Sequence, residues 1–526
     1  MPWIRFCFAA LLALFAQVLV PSVAQAKWLK AETRHFVIYS SSSEKDLRSA
    51  AVRLERFDTL LKLKFGFKDA DTPIKLTIYY LEDETDVRAL TRGWARNASG
   101  FFASRLEGSF AVAHRDKANS GFGLDGGAVL LHEYGHYFMK RYASFAYPSW
   151  YVEGFAEFVS TTTIDQDGNW TMGKPANHRA NSLLRMPKIS IEKLLFGNPS
   201  EMKQNEISVF YGRSWLLTHM MLTSPDYNSR LSAFFAAVAR GKDHRTATAE
   251  AFGDLKRLDL ELDRYLGRPI PFMTSKVPLV ADSNVSVTPL DPVSEQLMPL
   301  ALARSSTKGG PELTAALRKL AQANPNIAEP WYQLAMAERW EGIQAEKDRR
   351  AEFDARSEAA IDKALAIEPT HARANVIKAE LLMKRLQAAG DKDPAHWTAA
   401  RAYLITANKV AQDDPMVLIA WYDSFQMQGR KPSQTARDAL ARAFALAPEV
   451  PDLRARYALD LADQGRFDDA ISIVQTLAFD PHGGQQGQAL LRRIEAMRAG
   501  AKAVSGQGTT APDSATKSIG IAALTV

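Results

Sequence analysis

Two histidines four residues apart, with a glutamate directly after the first, carry the clearest chemical signal in the chain: His132-Glu133-Tyr134-Gly135-His136. On a helix, residues i and i+4 share one face a turn apart, so His132 and His136 can offer two imidazoles to a single metal ion. Glu133 sits one position round. It can reach a metal-bound water without being a ligand, as in the H-E-x-x-H zinc motif, where this Glu is the general base. Two imidazoles leave a catalytic zinc one protein ligand short. Glu153 is the candidate for it, on the apolar segment Trp150-Tyr-Val-Glu-Gly-Phe-Ala-Glu-Phe-Val159. The expected cofactor is one Zn2+ per chain, held by His132, His136 and Glu153.

Two helices must position these groups. Ala128, Val129, Leu130 and Leu131 before the motif, and Tyr137, Phe138 and Met139 after it, give the first helix its apolar body. Gly126-Gly127 mark its start. The chain turns at Pro148, which disfavours helix at the residue before it, and a second helix brings Glu153 back toward the two imidazoles.

At these residues the chain resembles the gluzincin metallopeptidases, in particular the peptidase MA-like domains of bacterial envelope proteins. The resemblance rests on HEYGH followed by WYVEGFAEF. It implies His132, His136 and Glu153 as zinc ligands and Glu133 as base. Glu157, one turn after Glu153, matches a carboxylate that thermolysin-like enzymes keep hydrogen-bonded to the first His, orienting it and raising its basicity. The other reading of Glu157 is a solvated helix face. In related gluzincins a Tyr at the start of a downstream helix donates to the oxyanion, and Tyr211 in Val209-Phe-Tyr-Gly-Arg-Ser-Trp-Leu-Leu-Thr-His219 matches it. Phe210 is the neighbour with which it can be confused, and a core aromatic is the alternative. His219 reads as core and His114 as structural. The metzincin pattern fails, because Met139 and Tyr142 stand where it requires Gly and His.

Upstream, Thr33–Tyr39 and Lys75–Tyr80 read as strands, Ser43–Phe65 and Glu82–Leu90 as helices, and Gly100–Ser104 with Ser109–Ala113 as a hairpin. By the same resemblance, Ser109–Ala113 is the edge strand that pairs with substrate backbone. Asp165-Gln-Asp-Gly-Asn169 reads as a hairpin turn. The Gly-x-Met-Glu-Asn strand with which aminopeptidases of this clan hold a free α-amine is absent, which favours endopeptidase action.

The chain has 526 residues and room for two or three domains. Its net charge of +6, without a long Lys/Arg block, gives no nucleic-acid footprint. Residues 1–26 read as a signal peptide: Arg5, an apolar run from Phe6 to Val20, and Ala24-Gln25-Ala26 at the cleavage site. An uncleaved anchor is the alternative. The mature chain has no other stretch approaching a transmembrane segment. The single cysteine, Cys7, lies in this leader, so the mature chain has no disulfides and no thiolate ligands. Export to a bacterial periplasm, the cell surface or the exterior fits this.

Residues 27–268 are expected to form the metallopeptidase domain. Residues 269–311, rich in proline, read as an extended linker with one strand. From residue 312 to 500 the chain is helical and repetitive. Proline recurs at Pro325, Pro369, Pro415, Pro448 and Pro481, and the shorter intervals approach the ~34-residue period of tetratricopeptide repeats. Leu459-Asp-Leu-Ala-Asp-Gln-Gly465-Arg-Phe467-Asp-Asp-Ala470 is similar to that consensus. The longer intervals imply insertions around 344–354 and 386–394. Residues 501–526 read as a disordered tail. The expected fold is an α+β zincin-like domain, with a mixed sheet, the H-E-x-x-H helix and a helical subdomain, followed by an all-α superhelix that folds on its own. The expected function is a secreted zinc peptidase acting on peptides or envelope proteins, with a protein partner in the repeat groove. The alternative is a repeat scaffold with a vestigial or non-proteolytic zinc site, against which the intact Glu133 argues.

Overall fold

A computed structural model describes residues 28–69, 73–91, 98–117, 123–142, 145–275, 277–280, 284–306, 309–480 and 484–505, without the side chains of 502–505. The leader expected at 1–26, with Cys7, and residues 506–526 of the expected tail lie outside the described residues, whereas 501–505, expected to be disordered, are the end of a helix. In chain order the first elements are β1 (Leu29–Glu32), β2 (Phe36–Ser40), α1 (Glu44–Phe65), β3 (Leu76–Leu81), α2 (Glu84–Leu90), β4 (Phe101–Ala103) and β5 (Phe110–His114). Helices α3 (Gly126–Arg141) and α4 (Ser149–Ser160) follow, then β6 (Thr163–Ile164), β7 (Trp170–Met172), α5 (Ala180–Leu184) and α6 (Ile191–Phe196). Next come α7 (Gln204–Thr223), α8 (Pro225–Ala239), α9 (His244–Phe252), α10 (Leu255–Leu266), β8 (Met273–Ser275), β9 (Ser286–Pro289) and α11 (Pro292–Ser306). The remainder is helical: α12 (Pro311–Ala323), α13 (Ala328–Gln344), α14 (Arg350–Ile367), α15 (Ala372–Ala388), α16 (Pro394–Val410), α17 (Pro415–Met427), α18 (Gln434–Leu446), α19 (Pro451–Asp463), α20 (Phe467–Ala478) and α21 (Gly484–Ser505).

The larger sheet is mixed, in the order β4-β5-β3-β2-β1-β9. Strands β2, β3 and β5 run parallel, and β4, β1 and β9 close the two sides antiparallel. Alternation in Phe36-Val-Ile-Tyr-Ser40 buries Phe36 and Ile38 on the face that α1 covers with Leu47, Leu54, Phe57 and Leu61. β5 is buried along its whole length because both neighbours pair with it and helices lie on either side. The expected edge strand is therefore corrected: β4 holds the edge and shields β5 from Phe101↔Val112 to Ala103↔Phe110. The hairpin at Asp165 forms as expected between β6 and β7, with Gly168 at φ 89°.

The Pro-rich stretch 269–311 is no extended linker. It contributes β8 to a small β6-β7-β8 sheet, β9 to the large sheet, and α11, whose Leu302 packs under Leu81, Phe101 and Val112. The helices from α12 onward stack as consecutive neighbours over four small cores. Longer helices, rather than inserted loops, account for the wider proline intervals: α13 to α16 have 17 or 18 residues and α17 to α20 have 12 or 13. Pro415 begins α17 with Asp414 as its cap, where a missing N–H costs nothing. No helix among the described residues is long and apolar enough to cross a membrane.

Candidate metal centre

Helix α3 starts where the Asp125 carboxylate accepts the first orphan N–H groups, those of Gly127 and Ala128, at 2.8 and 3.3 Å. Helix α4 crosses it at Gly135, where an added Cβ would lie 3.0 Å from Val159 and 3.2 Å from Ala156. Gly154 lets α4 sit equally close to α7: a Cβ there would fall 2.1 Å from Thr218 Oγ1 and 2.3 Å from the Ser214 carbonyl oxygen. These two contacts bring three short helical faces to one point.

At that point His132 Nε2 and His136 Nε2 are 3.1 Å apart, and Glu153 Oε2 lies 3.7 and 3.6 Å from them. A point equidistant from three atoms so spaced is about 2.0 Å from each, the length of Zn–N and Zn–O bonds. Two imidazole nitrogens and one carboxylate oxygen are also the donor chemistry of a catalytic zinc, so the residues fit the ion the sequence implies. Glu153 is fully buried, while both imidazoles keep a little exposure toward the open side.

A second cluster of potential ligands, His35, Glu55 and Asp58, does not fit a metal. Its carboxylates are already committed: Lys62 Nζ donates to Asp58 at 2.6 Å, His35 Nδ1 meets Glu55 at 2.7 Å, and Tyr134 O–H donates to Asp58. Burial works against the Lys62 charge, but Asp58 outweighs it and holds the ammonium on. An internal cation occupies the role a metal would take, and the network anchors α3 to α1 through Tyr134.

Glu133 is nearly buried on the flank of α3 that faces the edge strand. A Cβ on Gly100, the residue before β4, would come 3.4 Å from Glu133 Cγ. Glu157 is buried rather than solvated, at 1% exposure. Its Oε1 is 3.5 Å from His132 Nδ1, the nitrogen facing away from the convergence point. The carboxylate also accepts from His178 Nε2 at 2.8 Å and from Arg179 Nε at 3.1 Å. Burial opposes its ionisation, yet Arg179, His178 and His132 together hold it well below the usual carboxylate range. Tyr211 lies in the second turn of α7, its ring 6.4 Å from that of His132 and 5.0 Å from the Arg179 guanidinium. Burial, reinforced by Glu153, pushes its hydroxyl well above the usual value, so it stays a donor. Phe210 points into the core with no exposure.

The sequence reading missed His178 and Arg179, on a single 3-10 turn (Asn177–Arg179) in an irregular stretch. The available signal was indirect: a second carboxylate on an apolar helix requires a cation beside it. His219, between the Gly173 carbonyl at 2.8 Å and Tyr265 O–H at 2.9 Å, is a core residue that burial keeps neutral. No family model matches the chain, and no curated protein is significantly similar to it.

Proposed function

We propose that the protein is a zinc-dependent peptidase of gluzincin type, exported by its leader, with a zincin-like first part and tetratricopeptide-like helical repeats after it. The observation that carries this reading is the convergence of His132, His136 and Glu153 at metal-ligand spacing with Glu133 one position away. Zinc, when bound there, lowers the pKa of a water toward ~7 and polarises the scissile carbonyl. Glu133 takes the proton from the attacking water and passes it to the leaving nitrogen. Glu157 holds His132 in the tautomer that keeps Nε2 free for the ligand position. The Tyr211 hydroxyl donates to the oxygen on which negative charge develops.

The test is Glu133→Gln, which keeps size and removes the base. Hydrolysis of a peptide mixture, read by mass spectrometry of the products, should fall by ~10²–10⁴-fold while bound zinc and melting temperature stay put. Unchanged cleavage would end the mechanism. Full rescue of a deletion strain by the variant, with no rescue by a chain lacking 312–500, would move the function to the helical repeats.

A further inference from the structure

Next to His136 the surface closes into a small cavity of about 60 Å³, room for one side chain. Its near wall is His136 and Met139 of α3 with Val152 of α4, which neighbours the ligand Glu153. The far wall comes from a distant part of the chain: Arg454 of α19 and Phe479 after α20. The helical array thus supplies half of a cavity that begins at a metal ligand.

The charge in that wall is unusual. Arg454 is only 5% exposed, and its hydrogen bond goes to a backbone carbonyl rather than to a carboxylate. One guanidinium nitrogen donates to the Pro448 carbonyl at 2.5 Å, and the group sits over the Phe444 ring at 5.3 Å. Two acids and a lysine, Glu449, Asp480 and Lys140, line the same cavity, and they are engaged with other partners. Glu449 binds Arg141 at 3.1 Å and Ser109 at 3.0 Å, and Asp480 binds Lys140 at 3.0 Å. Burial lowers the Arg454 guanidinium to about 10 despite the pull of both acids. A buried cation that no carboxylate bonds directly is costly, and an anion that reaches it offsets part of that cost.

We propose that this cavity is a substrate subsite for a carboxylate on the residue flanking the cleaved bond, and that Arg454 is its anion-binding residue. This rests on the peptidase reading. The apolar walls at Met139, Val152 and Phe479 suit the methylenes that carry the carboxylate. The carboxylate can come from a glutamate side chain or from a free peptide C-terminus, which makes the helical array a determinant of specificity.

Binding to the zinc-loaded full chain carrying Glu133→Gln tests it without turnover. Three probes are titrated by calorimetry: acetyl-Ala-Leu-Glu-amide, acetyl-Ala-Leu-Gln-amide, and acetyl-Ala-Leu-Gln with its terminal carboxylate free. One acid should bind about 10- to 100-fold more tightly than the neutral amide, as a charge-assisted contact implies, and which acid does so identifies the source. Adding Arg454→Met should erase the difference, and Arg454→Lys should keep part of it. Equal affinities for all three probes overturn the proposal with no variant at 454 required. So does a difference that survives Arg454→Met, since the carboxylate would then be meeting zinc alone. Absence of cleavage by the unaltered chain would strike the peptidase reading, and the affinities would still decide the subsite.

Discussion

Arg141, in the last turn of the motif helix, and Glu449, just before α19, form an ion pair 3.1 Å long that is almost sealed from water, with exposures of 3% and 1%. Arg141 also donates to the Leu446 carbonyl, and Glu449 accepts from Ser109, the residue before β5. The pair ties the helix bearing both histidines to the helical array. Removing one partner strands the other charge, at a cost of ~3–5 kcal/mol, whereas a well-packed apolar pair in place of both is close to neutral. Glu449→Leu should lower the melting temperature of the full chain sharply, and Arg141→Met with Glu449→Leu should recover most of it. A double variant no better than the single one would show that the charges are not coupled.

Tyr211→Phe removes a hydroxyl while keeping the ring tilted beside His132 and under the Arg179 guanidinium. If the O–H donates to the developing oxyanion, kcat should fall ~10²–10³-fold with little change in KM. Steady-state kinetics on a quenched peptide decides it. A rise in KM at constant kcat would make the residue a substrate contact instead.

Glu157→Gln loses the charge that faces His132 Nδ1 and leaves the half-buried Arg179 beside a neutral amide. Zinc affinity should weaken ~10–100-fold, as for other groups that orient a ligating histidine. Competition with a chromogenic chelator measures it. Affinity equal to that of the unaltered chain would reduce Glu157 to a folding role.

Asp423 on α17 titrates against the usual direction. Burial, helped by Glu380 and opposed by Arg456, pushes its carboxyl from 3.8 up to about 6. Between those values the folded chain keeps a proton that the unfolded chain has released, so stability falls as pH rises through the window and is level above it. Asp423→Asn should therefore stabilise the chain at pH 7.5 by up to ~3 kcal/mol relative to its effect at pH 4. Urea titrations at the two pH values check this. An identical effect at both would place the ionisation elsewhere.

What could be read from the sequence was local. The i, i+4 face of His132 and His136, the turn at Pro148 and the return of Glu153 all follow from helix geometry over a few turns. The structure brings those three residues together, with Tyr211 and Glu157 beside them. Residues that act across the fold left no periodic trace. His178 and Arg179 sit on one irregular turn, and Arg454 looks like any exposed arginine until the fold buries it over the Phe444 ring. Residues 269–311 misled for a different reason. Their prolines suggest a spacer, but Pro289 ends a short edge strand and Pro292 begins a helix, two places where a missing N–H is harmless.

The pairing of β1 with β9 sets a deadline in synthesis. Leu29 finds its partner only at Pro289 and Glu32 at Ser286, so β1 presents a bare row of peptide groups on one side until nearly 290 residues exist. Such an edge invites pairing with other chains. A fragment stopped at residue 268, the boundary the sequence suggests, would keep that edge open for good. It should clump, whereas one carried through residue 306 closes the sheet with its own backbone and covers the sheet's other face with α11.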